Sequence, residues 1–100
     1  MSIEQISESQ FLQQATGRQP MAGAIAKEME WYASTNGIIL GTLFQDNIDR
    51  DWGYAVLGPN SSNVIGAIDI NHSITSQEEA RSQLLASMSN FENSGRTSFD

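Results

Sequence analysis

Asp46, Asp49 and Asp51 crowd one short stretch of the chain, and closely spaced carboxylates are what a hard cation such as Ca²⁺ requires, because it takes roughly six to eight oxygen ligands. The spacing does not match a calcium loop: Ile48 stands where the third-position oxygen ligand belongs, and Arg50 replaces the fifth. Asp and Asn favour turns strongly, so the stretch reads as a solvated hairpin turn and no metal site is expected. His72 is the only histidine, with Asp69, Ser73 and Ser61 or Ser62 as conceivable members of a Ser-His-Asp set. Nothing around it resembles a nucleophile elbow or an oxyanion-hole loop, so it reads as a histidine between a strand and a helix cap that makes a local hydrogen bond. No catalytic residue is assigned. Trp31 and Trp52 could stack a base or a sugar, but stacking platforms for nucleic acid come interleaved with Lys and Arg, and only Lys27 and Arg50 lie close. One tryptophan is expected in the core and the other in the core or at an interface. The glycines form neither GxGxxG nor a P-loop, so no cofactor is expected.

With the chemistry thin, composition does the excluding. A chain of 100 residues is the ordinary size of one domain with one core. Hydrophobic residues at 39% and charged residues at only 17% describe a globular chain rather than a disordered one. The formal charge of −7 repels phosphate backbones and anionic lipid heads, so neither nucleic acid nor a membrane is expected as a direct partner. Without cysteine there is no disulfide, thiolate metal site or thiol nucleophile. Met1 to Gln14 is polar and acidic, unlike a secretory signal, and no apolar run approaches the ~18 residues of a membrane span, so a cytoplasmic location is expected.

The elements follow from periodicity and punctuation. Ser2 with Gln5 and Ser7 with Gln10 both fit a helix-start box, and Ile3, Ile6, Phe11 and Ala15 predict a first helix running to about Thr16, ended by Gly17 and Pro20. Residues 20–27 stay ambiguous between a helical turn and an extended lead-in. From Glu28 the period becomes two, with Met29, Trp31 and Ala33 alternating against Glu28, Glu30 and Tyr32. Asn36-Gly37 is a hairpin signal, because a type I′ turn needs positive φ at both central positions. Further strands are predicted over Ile38–Gln45, Trp52–Leu57 and Val64–Ile70, with Gly58 to Ser61 as a breaker. Gly41, Gly53 and Gly66 inside these runs point to bulges or close packing. Thr75 with Glu78, or Ser76 with Glu79, caps a last helix of about four turns whose stripe is Ala80, Leu84, Met88 and Phe91.

These readings assemble into a single α+β domain over residues 1–93 with a frayed tail over 94–100. An N-terminal helix, an antiparallel meander of three to four strands and a C-terminal helix packed on one sheet face are expected. Both helices are expected to cover that one face, which leaves the opposite face bare. Because the strands carry apolar residues at both parities, such as Tyr32 beside Trp31 and Tyr54 beside Ala55, a bare face would be an interaction surface.

The order helix, antiparallel strands, helix, together with Thr75 to Arg81, Leu84 and Leu85, resembles the double-stranded-RNA-binding domain. That family grips phosphates with lysines at the start of its last helix, whereas Gln77, Glu78 and Glu79 stand there in this chain, so the resemblance implies the order of elements and not RNA binding. The span Asn36 to Gly58 is similar to a pattern in small uncharacterised bacterial proteins, some of them encoded on mobile elements, which implies no activity.

The functional expectation is a non-enzymatic protein-interaction module, homodimeric through the open sheet face or bound to another protein. Tyr32, Trp52, Tyr54, Glu78 and Glu79 are its candidate contact residues. The alternative is an acidic inhibitor from a phage or mobile element, of the anti-CRISPR or anti-restriction type, that fills a basic nucleic-acid groove on its target protein.

Overall fold

The computed structural model describes residues 3–15, 26–35, 38–58 and 68–94. The elements are β1 (Ile3–Ile6), α1 (Glu8–Ala15), β2 (Ala26–Ser34), β3 (Leu40–Asp46), β4 (Trp52–Leu57), β5 (Asp69–Ile74) and α2 (Gln77–Ser94). The strands form one antiparallel meander in the order β1-β2-β3-β4-β5. The fold is therefore α+β, with five strands rather than three or four. None of the described helices is long and apolar enough to cross a membrane.

The extra strand comes from the first residues. Ile3–Ile6 pairs with Ser34–Trp31 instead of opening the first helix, since its apolar residues complete both layers of the sheet: Ile3 packs toward one core cluster and Ile6 toward the other. The helix starts at the second of the two candidate boxes. The Gln10 amide donates to Ser7 Oγ at 3.2 Å while the Ser7 amide donates to Gln10 Oε1 at 3.1 Å, a reciprocal cap. At the far end Ser76 is the cap, accepting from the Glu79 amide at 3.2 Å, and α2 runs for 18 residues. The last strand lies further along than Val64–Ile70: it is Asp69–Ile74, so His72 is a strand residue and not a loop residue. The Asn36-Gly37 turn, Gly66 and residues 59–67 lie outside the described residues.

The two helices do not share a face. Tyr32, Leu43, Tyr54 and Val56 form one cluster with Ala80, Leu84, Met88 and Phe91 of α2. The alternate residues Ala33, Leu40, Ala55 and Leu57 form a second cluster with Phe11 and Ala15 of α1. Strands that are apolar at both parities need cover on both sides, and each helix supplies one. The expectation of a wholly bare sheet face is thus corrected: α1 rests on β2 on the side opposite α2.

Candidate interaction site

Two polar networks fasten α2 to the sheet. Glu30, 9% exposed, accepts from Arg81 Nε at 2.8 Å and from Arg81 Nη2, from Gln77 Nε2 at 2.9 Å and from the Tyr32 hydroxyl. The Arg81 hydrogen bonds, opposed by burial, hold the Glu30 carboxyl below the usual carboxylate range. Further along, Asp69 Oδ2 accepts from Ser87 Oγ at 2.6 Å and from the Tyr54 hydroxyl at 3.1 Å. Burial, reinforced by these carboxylates, pushes both tyrosines up to about 12. Tyr32 and Tyr54 are consequently buried beneath α2, at 4% and 6% exposure, which removes them from any open contact surface.

The Ser-His-Asp set is not assembled among the described residues. Asp69 is turned to α2, whereas the His72 ring pairs with its neighbour, Nδ1 lying 3.0 Å from Ser73 Oγ. Ser61 and Ser62 lie outside the described residues.

What the fold does gather is a concavity of about 240 Å³ where the β3–β4 turn meets β5. Its acidic side is the Asp46–Asp51 turn. Asp46 Oδ1 accepts from the amides of Ile48 at 2.7 Å and Asp49 at 3.2 Å, Asp49 Oδ1 accepts from the Asp51 amide at 3.1 Å, and the Asp46 amide donates to the Asp51 carbonyl at 2.8 Å. Arg50 takes a left-handed φ of 65°, and its carbonyl accepts from Gln45 Nε2 at 3.1 Å. The turn is thus preorganised by its own side chains, and Asp46, Asp49 and Asp51 all border the concavity.

Phe44 and Trp52 border it as well, their side chains on opposite faces of the sheet, Phe44 against the α1-side cluster and Trp52 against the α2-side cluster, and a glycine places the Phe44 ring. Gly53 sits directly across from Phe44 in the ladder, and a Cβ there would come within 2.6 Å of the Phe44 ring and 2.7 Å of the Asn71 carbonyl oxygen, so the ring crosses β4 only because that Cβ is missing. A bulge in β5 brings in the third side. The pairing skips from Tyr54↔Asn71 to Trp52↔Ile74, Ser73 adopts φ 63°, and His72 and Ser73 both line the concavity. Ile48, on the same turn, is 83% exposed, and Ile70, paired with Ala55 of β4, is 44% exposed.

Of the residues singled out by sequence, the structure brings Trp52, His72 and the three aspartates together and leaves Glu78 and Glu79 exposed on the first turn of α2. Trp31 is half-buried against the α1-side cluster and donates to Glu28 Oε1 at 2.8 Å. Among the described residues, no three His, Cys, Asp or Glu side chains are grouped to hold a metal ion. Phe44 is the lining residue that the sequence reading did not single out, and the glycine at position 53 is the one local sign that something lies across β4. Comparison with family models, with curated proteins and with solved structures finds no match to this chain.

Proposed function

We propose that this chain is a non-enzymatic protein-interaction module that meets its partner through the turn end of the sheet. The observation that carries this reading is Ile48, a large apolar side chain 83% exposed on a turn that borders a concavity and is stiffened by its own hydrogen bonds. A preformed surface loses little conformational freedom on binding, and an apolar anchor beside polar groups is the composition of an interface centre. The burial of Tyr32 and Tyr54 moves the reading away from the middle of the sheet and toward this end.

A photo-crosslinking amino acid at position 48, with the same label at the exposed Ser82 on α2 as control, tests the assignment in the native host. A discrete adduct from position 48 and none from position 82 is expected. Adducts from position 82 alone would overturn it. A second copy of this chain is a competing occupant, and an adduct of twice the monomer mass would identify it.

The second reading, an acidic inhibitor of a nucleic-acid-binding protein, is favoured by the net charge of −7 and by the exposed Glu78 and Glu79. It differs in the surface used: Glu78→Lys with Glu79→Lys abolishes partner binding if α2 is the mimic, and leaves it intact if the turn end is the contact.

A further inference from the structure

We infer that Asn71 is a site of spontaneous covalent modification, at which the backbone nitrogen of His72 closes on the Asn71 side chain and converts its amide to aspartate or isoaspartate. The inference is independent of the interaction reading above.

Ring closure needs the following backbone nitrogen beside the side-chain carbonyl, a main chain that can turn, and access for water. The first condition is met directly. Asn71 Oδ1 accepts from the His72 amide at 2.9 Å, so the nitrogen lies beside the carbonyl whose carbon it attacks. At the other end of the same amide, Nδ2 donates to Gln83 Oε1 at 3.1 Å, and the two bonds together fix which end faces His72. The second condition comes from the place in the sheet. Asn71 pairs with Tyr54 from β5, the last strand of the described sheet, so it has a strand neighbour on one side only. The bulge follows at once: pairing resumes at Ile74, and Ser73 has φ 63°, so the chain beyond Asn71 has already left regular strand geometry. For the third, Asn71, His72 and Ser73 are all exposed.

The other two asparagines with described side chains lack this arrangement. At Asn47 the following amide, that of Ile48, donates instead to Asp46 Oδ1 at 2.7 Å, and the branched Cβ of Ile48 crowds its own nitrogen. Asn90 is followed by Phe91 inside α2, where each amide points to the carbonyl four residues back.

The reaction consumes one water and releases one ammonia. A base removes the His72 amide proton, the nitrogen bonds to Asn71 Cγ, and the Cγ–Nδ2 bond breaks as Nδ2 takes up a proton and leaves as ammonia. Water then opens the imide. Opening at the side-chain carbonyl restores the ordinary main chain with aspartate, whereas opening at the main-chain carbonyl routes the chain through Cβ as isoaspartate. Nothing is oxidised or reduced. Either product replaces the donor facing Gln83 by a carboxylate, and isoaspartate also lengthens β5 by one carbon beside its pairing with Tyr54.

The test is incubation of the whole protein at neutral and mildly alkaline pH, followed by brief trypsin digestion and fragmentation mass spectrometry. The peptide from Asp51 to Arg81 holds Asn60, Asn63 and Asn71, and its gain of about 1 Da should map to residue 71. Isoaspartate should accompany aspartate, and the rate should rise with pH because the nitrogen must lose its proton. Conversion at residue 71 should run about threefold or more faster in the folded protein than in concentrated urea, because the fold holds nitrogen and carbonyl together. His72→Val, which sets a branched Cβ beside the nitrogen, should slow it by about tenfold. The comparison with urea needs no substitution, so it decides the matter even where that variant is unstable.

Slower conversion at residue 71 in the folded protein than in urea overturns the inference, as does an unchanged rate in a folded His72→Val. Aspartate without any isoaspartate would mean direct hydrolysis and would overturn it too.

Discussion

The Arg81 guanidinium engages both carboxylate oxygens of Glu30, joining α2 to β2 across 51 positions of sequence. Glu30 is almost wholly buried and Arg81 is about a third exposed, so the pair sits between a surface ion pair and an interior one. Removing the arginine leaves a carboxylate that only Gln77 and Tyr32 still contact. Arg81→Ala should cost about 2–3 kcal/mol, less than the ~3–5 of a fully buried pair. Because the folded-state value of Glu30 is depressed, the stabilisation is present above the unfolded carboxyl range and disappears as pH falls through the folded value. Urea unfolding should therefore show the wild-type advantage at neutral pH and its loss in acid. An advantage that persists unchanged at low pH would contradict the assignment.

The two tyrosines of the chain make a second pH prediction. Tyr32 and Tyr54 are both raised to about 12, chiefly by burial and then by Glu30 and Asp69 respectively. A raised folded value means the contribution is fully present below the unfolded tyrosine value of about 10 and is lost as pH climbs toward the folded one. Tyrosinate absorbance should stay flat through about pH 10 and then rise together with loss of tertiary structure. A titration of one tyrosine near its ordinary value in the folded protein would show that its ring is not held under α2.

Thr42 lies at the centre of the α1-side face, paired with Trp31 and Ala55, and its fully buried hydroxyl has no partner. A buried hydroxyl without a hydrogen bond costs about 1–3 kcal/mol. Thr42→Val keeps the β-branched shape and removes the orphan oxygen, so the midpoint of unfolding should rise, by about 1 kcal/mol. Destabilisation on this substitution would mean that the hydroxyl is satisfied in solution.

Gly53→Ala should act on stability and on the concavity at once. The new Cβ meets the Phe44 ring and the Asn71 carbonyl, and the backbone oxygen cannot swing away as a side chain can. Overpacking of this kind costs about 1–3 kcal/mol. At Gly41 the corresponding contacts are Met88 Sδ at 2.5 Å and Leu84 Cδ1 at 2.9 Å, side-chain ends that can shift, so Gly41→Ala presses on the α2 seam and should cost less than Gly53→Ala. A Gly53→Ala variant that unfolds at the same urea concentration as wild type would show that the Phe44 ring does not cross β4 there.

Local chemistry made much of this fold legible before any coordinates. The Ser7 and Ser76 caps, the α2 stripe and the β4 strand all depend on residues within a few positions of one another, where capping and periodicity act directly. The reading failed where pairing over distance competed with local preference. Ile3–Ile6 carries a helix-start signal of its own, yet gains more by adding an edge to β2, and the Asp69–Ile74 strand is polar enough that its pairing with β4 leaves little trace in hydrophobicity.

The residues alone therefore determined the composition of the layers: which side chains are apolar, at what period, and that strands apolar at both parities leave neither sheet face fit for water. Which helix covers which face was decided by the tertiary structure, because an eight-residue helix and an 18-residue helix have stripes that either face accepts, and only the order of strand pairing sets where each one lands. The concavity has the same origin. Its residues come from two stretches of chain, 44–52 and 72–73, and they border one space because a missing Cβ at Gly53 lets the Phe44 ring cross β4 and a bulge at Ser73 turns β5 toward the acidic turn.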